Sequence, residues 1–176
     1  MTHAQRQAWL SVPETTRKEL YVSCWYASEH ESAAMWKLYL SDLTGVAIKS
    51  STDRLIDIAE RSAYTIGMTH VEYVNYETES IPITNTLFPV KHKRLSFAHE
   101  QEFRAVIWSS MTDNEPLIAK DVPCVSVPII PAHLIEAVHV SPLAPRWVGE
   151  LVQKIITRYG LNAPVIRSIL YDRPIS

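Results

Sequence analysis

The chain has 176 residues, 47% hydrophobic and 20% charged, with a net charge of −2 and a pI near 6.4. That is enough chain for one domain, and it offers no general positive field to hold a phosphate backbone by counterion release. The longest apolar run, Val125 to Ile130, is broken by Ser126 and Pro128 and falls far short of the ~18 residues of a membrane span.

The polar start from Met1 to Pro13 does not read as a signal peptide. Residues 1–19 read as an N-terminal arm and residues 20–176 as a single domain. Two cysteines, Cys24 and Cys124, are too few for a disulfide framework. They read as buried free thiols in a reducing, cytoplasmic compartment. Any nucleic-acid contact would have to come from Lys91, Lys93 and Arg94, the one dense basic patch, so a nucleic-acid partner is not expected.

Leu20 to Tyr26 predicts a strand, with Tyr21, Ser23 and Trp25 on one face, Val22, Cys24 and Tyr26 on the other, and both faces at least half buried. Ser28 to Glu31 has capping-box spacing and predicts a helix from about Glu29 to Leu40, firmly packed through Trp36, with Glu31 reaching back to the cap. Val46 to Ile48 predicts a short strand. Ser50 to Asp53 then caps a helix that turns Leu55, Ile58 and Ala59 inward. Tyr64 to Tyr76 is strand-like, with a bulge expected at Gly67. Residues 77–90 read as an irregular connection.

Lys93 to about His99 predicts one or two helical turns and Glu100 to Ser109 a strand, with Phe103, Ala105 and Ile107 on its core side. Residues 110–123 read as a polar loop, Cys124 to Ile130 as an edge strand, Pro131 to Leu134 as a turn and Ala137 to Ser141 as a strand. Pro145 opens the clearest helix, whose buried face is expected to be Val148, Leu151, Val152, Ile155 and Tyr159, with Gly160 beyond its end. Trp36, Ile107, Leu151 and Ile155 are expected in one core. A strand over Val165 to Leu170 closes the chain. This irregular order, without a glycine-rich phosphate loop, predicts α+β: a mixed, mostly antiparallel sheet with about four helices packed against it.

The chemistry concentrates in Lys91 to Trp108. Glu100 and Glu102 form an E-x-E pair beside His99 and Arg104, and unlike environments can part the pKa values of two such carboxylates. Glu102, Glu100 and His99 are the catalytic candidates. Arg104, Lys93, Arg94, Ser23, Trp25 and Glu31 are the candidate ligand-binding residues. His92 and His99 lie seven apart without a cysteine nearby, so no metal is assigned.

VSCW at Val22–Trp25, ESAAMWKLY at Glu31–Tyr39, GVAI at Gly45–Ile48, KRLSFAHEQEFRAVIW at Lys93–Trp108 and VSPLAPRW at Val140–Trp147 together resemble the bacterial family catalogued as domain of unknown function 2971. The resemblance spans about residues 20–172 and implies no particular activity. It does imply a further N-terminal segment, so this chain looks like a shortened form. The expected partners are a homo-oligomer or a partner chain supplying that segment.

Two functions follow. One is a binding module in which Lys93, Arg94, His99 and Arg104 gather a small anionic or nucleotide-like ligand. The other is an enzyme similar to ADP-ribosyltransferases, using NAD, with Glu102 as the catalytic carboxylate, Glu100 its companion, and Ser23 and Trp25 lining the pocket.

Overall fold

The computed structural model describes residues 18–79, 87–109, 118 and 122–173. The N-terminal arm and most of the loop expected over residues 110–123 therefore lie outside the described residues. The elements are β1 (Leu20–Tyr26), α1 (Ala33–Tyr39), β2 (Val46–Lys49), α2 (Thr52–Arg61), β3 (Ile66–His70), β4 (Glu72–Val74) and α3 (Phe88–Lys91). They continue with β5 (His92–Arg94), a 3-10 turn (Leu95–Glu100), β6 (Glu102–Trp108), α4 (Pro131–Leu134), β7 (Ala137–Val140), α5 (Arg146–Arg158) and β8 (Val165–Arg167). The fold is α+β, with mainly antiparallel pairing distributed over three sheets, β1-β6-β3, β2-β7-β8 and β4-β5. The chain divides into two compact units, the first running to Ser28 and resuming over Ala59–Val127, the second comprising Glu29–Ile58 and Pro128–Ser176.

In the first unit β6 is the central strand, because its aromatic and β-branched residues suit a position covered on both faces. Phe103 and Ile107 are buried on one face, and Val106 and Glu102 on the other. β1 and β3 flank it antiparallel. As an edge strand β1 leaves Val22, Ser23 and Cys24 exposed, which corrects the expectation that both its faces are half buried. Cys124 is exposed as well, so neither cysteine is a buried thiol.

The bulge expected at Gly67 is not formed. Register between β3 and β6 runs unbroken from Ile66↔Ile107 to His70↔Phe103. Glycine serves close packing there, since a Cβ would stand 3.3 Å from the Leu87 side chain. The chain leaves the sheet at Val71, whose N–H donates to the Glu102 carbonyl at 2.9 Å, and β4 then pairs in parallel with β5. Part of the connection expected to be irregular is helical, as α3. Cys124 to Ile130 forms no strand. Pro128 supplies no ladder donor, and Pro123 and Pro131 lack one at either end of the stretch.

In the second unit β7 is central, antiparallel to β2 and parallel to β8. Val140, Ala144 and Val148 form a buried cluster, with Val152 and Val165 packed against it. The face α5 buries is therefore Val148, Val152 and Ile156, not the wider stripe expected. Leu151 and Ile155 are each 46% exposed and Tyr159 is 81% exposed, so the single core proposed for Trp36, Ile107, Leu151 and Ile155 is not formed. The end of α5 is as expected. Gly160 has φ +70°, the Leu161 N–H donates to the Ile156 carbonyl at 2.9 Å, and the Gly160 N–H donates to the Thr157 carbonyl at 3.1 Å, a Schellman closure.

α1 starts later than the capping-box spacing predicts. Ser32 is its N-cap, with Oγ accepting from the Met35 N–H at 3.3 Å. Glu31 does not reach back, because its carboxylate accepts from Trp36 Nε1 at 3.0 Å and lies 3.3 Å from His139 Nδ1. No residue of α1 is fully buried. Ser51 caps α2, which buries Leu55 as predicted.

Candidate functional site

β5, the 3-10 turn and β6 bring four charged side chains of the first unit together. Gln101, at φ 40° in the left-handed region, ends the 3-10 turn and redirects the chain into β6. Glu100 and Glu102 thus sit on different elements, yet both meet Lys93. The Lys93 ammonium donates to Glu100 Oε2, and to Glu102 Oε1 at 2.7 Å. Arg104 Nε donates to Glu102 Oε2 at 2.7 Å, and Arg104 Nη1 to the Val90 carbonyl at 2.5 Å. Tyr73 Oη accepts the Glu102 backbone N–H at 2.8 Å.

Only 6% of the Glu102 side chain is accessible, so its charge persists through compensation. Two carboxylates stand against two cations, and hydrogen bonds engage both oxygens of Glu102, as a buried ion network requires. Burial alone would raise the Glu102 pKa, but contacts with Arg104, Glu100, Lys93 and Cys24 hold it far below the usual carboxylate range. Burial would likewise lower the pKa of Lys93, yet Glu100 and Glu102 raise it above the ordinary lysine value. Arg104 is also raised, with Glu102 overcoming the effect of burial.

The β1–β6 register decides which sequence candidates join this cluster. Cys24 pairs with Arg104 and Tyr26 with Glu102, whereas Ser23 pairs with Ala105 and Trp25 with Phe103. Directly paired residues share a face, so Cys24 lies on the charged face. Ser23 and Trp25 lie on the opposite one, where Trp25 Nε1 donates to Ser23 Oγ at 3.2 Å. Burial, followed by contact with Glu102, pushes the Cys24 thiol pKa up.

Of the predicted catalytic residues, Glu100 and Glu102 come together. His99 is exposed on the 3-10 turn and makes no ion pair or hydrogen bond with them among the described residues. Of the predicted ligand-binding residues, Lys93 and Arg104 belong to the cluster and Arg94 lies exposed beside it, its guanidinium carbon 5.0 Å from the centroid of the Tyr76 ring. Glu31 belongs to the second unit. There, burial tends to raise its pKa, but bonds from Ser168, Trp36 and His139 lower it overall. Cys24 and Tyr73 were missed as site residues. Period-two alternation places Cys24 opposite Ser23 and Trp25 but does not identify the strand it faces; nothing in the sequence pairs Tyr73 with Glu102.

The neighbouring basic residues are largely engaged too. Glu72 takes Lys91 Nζ at 2.7 Å and lies 3.2 Å from His92 Nε2. The Lys91 ammonium holds Glu72 below its ordinary pKa. A scan of protein-family models and searches of curated proteins and of solved structures find no match for this chain. No helix among the described residues is long and apolar enough to cross a membrane.

Proposed function

We propose that the first unit is a non-catalytic binding module for a small anionic or nucleotide-like ligand, with Arg94 as the group that meets the anion. One observation carries this reading: Lys91 and Lys93 face carboxylates, whereas Arg94 is exposed and no carboxylate among the described residues pairs with it. Its guanidinium lies over Tyr76, which restricts its rotamers and leaves its donors for a carboxylate or phosphate. The exposed Leu95 and Phe97 follow it on the 3-10 turn and offer an apolar surface to the rest of such a ligand. In this reading the Lys93, Glu100, Glu102 and Arg104 network supports the site by holding β5 and β6 in place.

The resemblance to domain of unknown function 2971 belongs to the same proposal, as does a bacterial, cytoplasmic setting, which the two free thiols support. The alternative is an NAD-using enzyme similar to ADP-ribosyltransferases. It requires Glu102 to face a substrate, and the engagement of both its oxygens gives that reading less support.

Thermal shift with phosphate, AMP, ADP and NAD tests the proposal. A bound probe at ~100 times its Kd adds about 2.7 kcal/mol of stability, and Arg94→Ala is expected to remove that gain while unfolding like the wild type without ligand. If no probe stabilises the wild type, or Arg94→Ala responds equally, the reading fails. NAD turnover abolished by Glu102→Gln would establish the alternative instead.

A further inference from the structure

The second unit contains a cavity of about 220 Å³ between α1, the turn that follows it and residues 141–143 after β7. Its walls are mainly apolar, with Trp36, Leu40, Leu143 and Tyr171 among them. Two of these walls are set in place by contacts behind them. Trp36 Nε1 donates to Glu31 Oε2 at 3.0 Å, and Glu31 is itself held by His139 Nδ1 at 3.3 Å and by the Ser168 hydroxyl, which limits how the indole can turn. Leu40 lies against Gly45, where any Cβ would collide with its side chain. Walls supported in this way make a site that exists before its ligand arrives.

The charges on the cavity decide its occupant. Lys37 on α1 and Asp42 in the turn after it both line the cavity, and both are exposed, so they stand on its solvent side. No acid among the described residues pairs with Lys37. Asp42 Oδ1 accepts the N–H and the hydroxyl of Thr44, each at 2.7 Å, and Oδ2 takes no donor among the described residues. We infer that the cavity binds a free α-amino acid with a large apolar side chain. The side chain lies among Trp36, Leu40 and Tyr171, the carboxylate meets Lys37 and the ammonium meets Asp42. A ligand with one charge would be drawn by one of these two groups and repelled by the other, whereas a zwitterion satisfies both.

Size points the same way. The cavity is smaller than the ~300 Å³ at which pockets for drug-sized ligands begin, which suits a single amino acid and excludes a nucleotide. All of its residues belong to the second unit, so the site is independent of the one assigned to Arg94.

Isothermal titration calorimetry on the full chain with L-phenylalanine and L-leucine, up to about 10 mM to cover the affinity open to so small a ligand, tests this. Saturable binding at one site is expected for both. 3-Phenylpropionate, which lacks the ammonium, and phenethylamine, which lacks the carboxylate, are expected to bind at least tenfold more weakly than phenylalanine. Lys37→Gln should narrow the gap between phenylalanine and phenethylamine, and Asp42→Asn, which keeps an acceptor for Thr44, the gap between phenylalanine and 3-phenylpropionate. Leu143→Trp fills the cavity from an exposed position, and is expected to abolish binding with an unchanged circular dichroism spectrum. Arg94→Ala is expected to bind like wild type. The absence of saturable binding by either amino acid overturns the inference, as does a singly charged analogue that binds as tightly as phenylalanine. A folded Leu143→Trp that binds like wild type, or loss of binding in Arg94→Ala, overturns it as well.

Discussion

Cys24 on β1 faces Arg104 on β6 across the antiparallel register, which sets a thiol against the guanidinium that holds Glu102. A thiolate at Cys24 would therefore form beside a committed carboxylate, and partial burial disfavours its charge further. Arg104 acts in the opposite sense but is outweighed.

Cys24 is accordingly expected to alkylate slowly at neutral pH, with the inflection of its pH–rate profile above the ordinary thiol value. Replacing Glu102 by Gln removes the negative charge beside it and should move that inflection down. Peptide mapping after timed iodoacetamide labelling measures both quantities. An inflection at or below the ordinary value in the wild type would contradict the placement of Cys24 in the cluster.

Glu102→Gln is expected to destabilise the fold by on the order of 3 kcal/mol, because Lys93 and Arg104 would keep their charges and lose the carboxylate between them. The pH dependence follows from the direction of each shift. The folded-state pKa of Glu102 is depressed, so its contribution is present above pH ~4.3 and disappears as pH falls through the lower folded value. That of Lys93 is raised, so its contribution is complete below pH ~10.4 and is lost as pH rises through the folded value. Urea unfolding between about pH 3 and 7 should show a shallower acid limb in Glu102→Gln than in wild type. Parallel limbs would mean that the carboxylate is not held by its neighbours.

The helix ends give a third expectation. Ser32→Ala should cost about 1 kcal/mol through loss of the α1 cap. Gly160→Ala should cost a similar ~1 kcal/mol, because position 160 is left-handed. Denaturant midpoints with unchanged slopes measure both, and a wild-type midpoint for Ser32→Ala would reassign the cap.

Where local chemistry decided the outcome, the sequence was readable. The strand of Ala137–Val140, the Ser51 end of α2 and the Pro145 to Gly160 limits of α5 each depend on residues within a few positions. What could not be read depended on partners distant in the chain. Ser28 and Ser32 both precede apolar residues of α1, and the choice between them turns on Glu31 binding Trp36 and His139. α5 has apolar residues around half its circumference, and only the packing of Val140, Val152 and Val165 tells Val148 from Leu151. The E-x-E pair marked the charged cluster, but its embrace by Lys93 needed β5 and β6 to be set together in space.

The left-handed backbone at Gln101 restricts what the position between the two acids can tolerate. Glycine and asparagine adopt that conformation readily, whereas valine or isoleucine would crowd their own carbonyls there. A chain that kept both acids but carried a β-branched residue between them would tend to run straight from Glu100 into the strand. The spacing would look unchanged on paper while Glu100 swung away from Lys93. Among chains that resemble this one, the middle letter of the motif therefore separates those that can build the charged cluster from those that merely share its acids.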